Sequence, residues 1–88
     1  MKLKELIESI SKDIEITKSF SETVFGMNID YVSFKFGSHY YLVSHGSKGC
    51  VYILTEQTQD GSKDISSPNI FEEIGLKEYI KRLVILEN

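Results

Sequence analysis

Apolar residues fall into two rhythms along this chain. Leu3, Leu6, Ile7, Ile10 and Ile14 recur every three or four positions, with Lys2, Lys4, Glu5, Glu8 and Lys12 between them. That is one stripe of an amphipathic helix and predicts a helix over 2–12. Ile14 and Ile16 then alternate with Asp13, Glu15 and Thr17, which suits a short edge strand over 13–20, with a frayed continuation of the helix as the alternative. Residues 21–27 read as a connection: Ser21 caps a helical turn that Gly26 ends, with Val24 and Phe25 tucked beneath.

The middle of the chain follows the other rhythm. Residues 28–36 and 39–45 are rich in Val, Tyr, Phe and Leu, the residues of a pleated, half-buried surface. Gly37-Ser38 between them is a two-residue turn led by glycine, which accepts the positive φ that a hairpin needs. Gly46-Ser47-Lys48-Gly49 is a second break, before the apolar run 50–54. The turns predict a register. Phe36 faces His39, Phe34 faces Tyr41, Val32 faces Val43 and Asp30 faces His45. His45 then faces Cys50, Val43 faces Tyr52, Tyr41 faces Leu54 and His39 faces Glu56.

Side chains alternate across a strand. One face thus carries Val32, Phe34, Phe36, Tyr41, Val43, Tyr52 and Leu54, and it is the greasier one. The other carries Tyr31, Ser33, Lys35, Tyr40, Leu42, Ser44, Val51, Ile53 and Thr55.

After the strands, 57–67 is polar and predicts an irregular loop, with Asp60-Gly61 as a turn signal. A helix starts next, either at Pro68 with Ser67 as cap or at Asn69 with Glu72 in capping-box spacing. Gly75 ends or bends it. Leu76, Tyr79, Ile80, Leu83 and Val84 form a second helical stripe, with Lys81 and Arg82 toward its C-terminus. The expectation is a single two-layer α+β domain over 1–88: an N-terminal helix, a three- to four-stranded antiparallel meander, and one bent or two short C-terminal helices. The helical stripes cover the greasier face of the sheet.

Composition narrows the function classes. The 88 residues hold 10 basic and 13 acidic side chains, a net charge of −3, with no basic cluster. A phosphate-tracking surface needs several Lys or Arg on one side, so direct nucleic-acid binding is not expected. Cys50 is the only cysteine, so no intrachain disulfide forms. The charged start MKLKELIESI does not read as a signal peptide, and no apolar run reaches a membrane span. The expectation is a cytoplasmic protein without membrane partners.

One constellation has the look of chemistry. In the register above, Asp30, His45 and Cys50 share a row across three strands, in the roles of acid, base and nucleophile. Against it, a single Cys is commonly a small buried hydrophobe, and no helix begins nearby to supply an oxyanion hole. His39 and His45 lie about 20 Å apart on one strand, too far to share a metal ion. Gly46–Gly49 lacks the spacing of a phosphate loop. The reading is therefore a non-enzyme without cofactor, metal or catalytic residues.

The second sheet face is the better candidate. Tyr31, Lys35, Tyr40, Leu42, Val51 and Ile53 form an aromatic-rich, partly polar patch, and an uncovered patch of this kind marks a partner site. The alternatives are burial under Phe20, Phe25 or a helix, and pairing with a second copy.

In outline, the element order and the helix-to-strand passage LIESISKDIEIT resemble small phage-encoded inhibitors of bacterial defence, including anti-CRISPR proteins. The resemblance implies an inhibitor that occupies a surface of a larger bacterial protein or protein–nucleic acid complex, through the open face and the 57–67 loop. The strongly acidic surface of nucleic-acid-mimicking members is missing from this sequence.

Overall fold

A computed structural model describes residues 2–47, 52–58, 61–64 and 72–87. The order of elements is α1 (Leu3–Glu8), β1 (Glu15–Val24), β2 (Met27–Phe36), β3 (His39–Gly46), β4 (Tyr52–Thr58), β5 (Gly61–Asp64) and α2 (Glu73–Glu87). The fold is α+β. All five strands form one antiparallel sheet in sequence order, a plain meander. The sheet has more strands than the three or four expected.

The greasier face is the buried one. Val32, Phe34, Phe36, Tyr41, Val43, Tyr52 and Leu54 are buried together with Leu3, Leu6 and Ile7 of α1, Ile14, and Leu76 and Ile80 of α2. Period-2 alternation put one apolar set on one side of the sheet, and the helical stripes supply the rest of the core.

The β2–β3 hairpin follows the expected register from Asp30↔His45 to Phe36↔His39. Its turn rests on Gly37 at φ 60. A Cβ there would touch nothing within 4 Å, so the requirement for glycine is purely conformational.

Four local expectations are corrected. First, α1 stops at Glu8 rather than at residue 12. The Ser9 hydroxyl donates to the Leu6 carbonyl at 2.6 Å, and the Ser11 hydroxyl accepts from the Asp13 N–H at 3.1 Å. Such short polar side chains offer the backbone an alternative to the helix. Second, β1 runs through Val24, so Ser21 caps nothing. The chain reverses at Phe25-Gly26, with φ of 51 and 75. Two consecutive positive φ values are the signature of a type I′ hairpin. Phe25 is not tucked away but fully exposed.

Third, β3 and β4 pair two residues out of the expected register: His45↔Tyr52, Val43↔Leu54 and Tyr41↔Glu56. The connection is longer than the glycines suggested. An even shift keeps every side chain on its face, so the core is unchanged. Fourth, part of the 57–67 segment is strand, since Thr58 pairs with Gly61 and Thr55 with Asp64. Among the described residues the C-terminal helix is one element, Glu73–Glu87, with Gly75 inside its first turn. The expected starts at Pro68 and Asn69 lie outside the described residues. Among the described residues, no helix is long and apolar enough to cross a membrane.

Candidate binding surface

The sheet face opposite the core is open. Both helices send their buried side chains to the other side. On the open face, Tyr40 is 47% and Ile53 41% exposed. Tyr31, Lys35 and Leu42 are half-buried, as are Ser33, Ser44 and Thr55. Five of the six residues singled out from the sequence are therefore brought together on β2, β3 and β4. The sixth, Val51, lies outside the described residues.

Strand β1 widens this surface in a way the sequence reading missed. Lys18 pairs with Ser33, Phe20 with Tyr31 and Glu22 with Ile29, so all three join the open face. Phe20 does not cover the patch. Its ring stacks beside Tyr31, with centroids 4.7 Å apart and planes 13° from parallel. The alternation Lys18, Phe20, Glu22 carries the signal, but it is legible only once the strand is known to continue past residue 20.

The charges of this face are tied to its aromatics. The Lys18 ammonium lies 4.8 Å from the Phe20 ring centre, and that of Lys35 lies 5.5 Å from the ring centre of Tyr40. Both are cation–π distances. The Tyr31 hydroxyl donates to Glu22. That bond, with some desolvation and the carboxylate's charge, raises the tyrosine pKa above its usual value. The result is an aromatic slab edged by two cations, Lys18 and Lys35, and two anions, Glu22 and Glu15, the latter opposite Lys35.

Of the expected Asp30-His45-Cys50 row, the structure describes only the first two members. Asp30 does face His45, but His45 faces Tyr52, and Cys50 lies outside the described residues. The His45 ring stacks on Tyr52 at 3.8 Å between centroids. Asp30 accepts a hydrogen bond from the Ser21 hydroxyl at 2.5 Å. The row observed on the core side is thus Ser21, Asp30, His45, Tyr52.

This row lines a groove of about 900 Å³ beside the start of α1, with Lys2, Lys4 and Glu73 at its walls. Burial, with Glu73's charge in second place, raises the Tyr52 pKa. In a nucleophilic triad the imidazole stands between hydroxyl and carboxylate. Here the hydroxyl donates straight to the carboxylate, so the serine is not activated. His39 reaches across to Glu56 instead, Nδ1 to Oε2 at 3.1 Å. No group of three metal-binding side chains occurs among the described residues.

Compared with known proteins, the chain matches no family model, no curated protein and no solved structure.

Proposed function

We propose that this chain is a small, non-catalytic, two-layer protein-binding module, with the helices as one layer and the sheet as the other. Its open sheet face takes the partner. One observation carries the reading: Phe20, Tyr31, Tyr40, Leu42 and Ile53 share a face that neither helix covers. Clustered exposed apolar side chains rimmed by polar ones mark interaction sites, and tyrosine is favoured at binding hot spots.

The hairpin tip supports it. Phe25 sits at φ 51 with its whole ring in solvent. Asn or Gly would hold that turn at lower cost, and strained residues gather where recognition needs them.

The partner is a larger bacterial protein, or a protein–nucleic acid complex, whose working surface the module occupies. An inhibitor of the kind phages carry against bacterial defence is the version that the outline resemblance suggests, acting in the host cytoplasm. The reading includes no cofactor, no metal and no membrane. Stacking of a single nucleic-acid strand would use aromatics, but it needs a positive surround. Lys18 and Lys35 are offset here by Glu15 and Glu22.

The test is a pull-down from bacterial lysate with three chains: the wild type, a Tyr40→Ala/Leu42→Ala double variant, and an Ile85→Ala/Leu86→Ala control on the exposed side of α2. The double variant stays folded and loses the captured protein, while the control keeps it. A folded double variant that retains full affinity rejects the open face as the binding surface.

A further inference from the structure

Among the described residues, the outer edge of β1 is a long unpaired margin of the sheet. The strand runs ten residues and stands at one end of the strand order. Every residue from Thr17 to Thr23 is exposed. Natural proteins shorten, charge or cover such edges, because their N–H and C=O groups template another strand.

The hairpin sets which backbone groups point outward. Val24 and Met27 flank a two-residue turn and form a hydrogen-bonded pair, and such pairs alternate along an antiparallel ladder. The Ser47 N–H donates to the Asn28 carbonyl at 2.9 Å on the β3 side, in agreement with that phase. Phe20 and Glu22 therefore bond inward to β2. Ser19, Ser21 and Thr23 aim their N–H and C=O groups at the free edge.

The side chains on this strand are self-complementary. From Ile16 to Val24 the sequence reads Ile-Thr-Lys-Ser-Phe-Ser-Glu-Thr-Val. It is nearly palindromic about Phe20, with a cation on one side where an anion answers on the other. An antiparallel second copy centred on Phe20 sets Ser19 against the partner's Ser21, both with outward backbone groups. It sets Lys18 against the partner's Glu22, and each Phe20 against the other. Cross-strand pairs of opposite charge and of aromatics are both favourable. Sliding by two residues either way puts Phe20 against a charge and leaves the ion pairs unmade. The β-bulge at Thr17 bounds the ladder at one end. Glu22 already accepts from Tyr31, but a carboxylate has a second oxygen to offer.

We propose that the outer edge of β1 is a homodimer interface, with Lys18 of each copy paired to Glu22 of the other across an antiparallel Ser19–Ser21 ladder. The dimer joins two open faces into one continuous aromatic surface. It stands whatever protein that surface binds.

Sedimentation equilibrium of the full chain from micromolar to millimolar concentration tests this. The mass rises with concentration toward twice 10.1 kDa. Lys18→Glu sets like charges opposite each other at both ends and weakens the dimer about tenfold or more. Adding Glu22→Lys to it restores the affinity. Ser19→Pro removes an outward N–H while leaving the bonds to β2, so it dissociates the dimer with the circular dichroism of the sheet intact. The proposal is overturned by a chain that stays monomeric throughout, by a dimer indifferent to Lys18→Glu and Ser19→Pro, or by a double variant as weak as the single one.

Discussion

Leu54 and Ile53 are neighbours on β4 with opposite surroundings. Leu54 is fully buried in the core, and Ile53 is 41% exposed on the open face. Truncation to Ala removes the same three carbons from each, so a larger cost at Leu54 reports burial, since the loss of strand preference weighs more on the β-branched Ile53. At Leu54 the transfer term is about 0.8 kcal/mol per carbon, and the cavity left behind brings the loss to about 3–4 kcal/mol. At Ile53 little more than half of the transfer term applies and no closed cavity opens, so the loss is about 1 kcal/mol. A chain of this length has a total stability of about 4–13 kcal/mol, so the first change takes a large share of it.

The assay is urea unfolding followed by far-ultraviolet circular dichroism, since the chain has no Trp. With a slope of about 1 kcal/mol per molar urea, the midpoint falls by about 3 M for Leu54→Ala and about 1 M for Ile53→Ala. Equal losses would refute the reasoning. They would mean that something packs over Ile53, and the proposed docking face would go with it.

Two more variants probe the turn and the groove. Phe25→Asn converts the hairpin to Asn-Gly, whose first residue accepts positive φ readily, and raises the unfolding free energy by about 1 kcal/mol in the same urea experiment. The same change weakens capture of the partner if the hairpin tip contributes to recognition, as proposed. Tyr52 keeps its proton in the fold to higher pH than in the unfolded chain, because burial and then Glu73 disfavour its charged form. Its contribution to stability is full below tyrosine's ordinary value of 10.0 and is lost as pH rises through the higher folded value. Ultraviolet titration of Glu73→Gln shows the Tyr52 transition moving down but staying above the free-tyrosine value, since burial is the larger cause.

Much of this architecture was legible because strand alternation and tight turns are local properties. Val32, Phe34 and Phe36 fall on one face by period alone, and Gly37 marks a reversal that only two residues span. Tyr31, Lys35, Tyr40, Leu42 and Ile53 follow on the other face as a consequence. The candidate surface could thus be drawn from the sequence for its middle strands. Its outer part could not. Thr23 and Val24 suit a strand, but Ser21 and Glu22 do not, and Phe25 is an unusual turn residue, so little in the local sequence announced that β1 continues.

What the sequence by itself determined is which side chains share a face, because the two-residue period needs no knowledge of distant partners. It also determined that two helical stripes were available to cover one face. The tertiary structure decided how far strands extend and how they slide. β1 reaches Val24 because β2 offers hydrogen-bonding groups along that whole length. β4 pairs Tyr52 with His45, although Gly49 suggested a shorter connection. Both outcomes depend on groups far apart in the chain, and a shift of two residues is invisible to face alternation. For that reason the buried face of the sheet was foreseen intact, while the β4 residue opposite His45 was not: it is Tyr52.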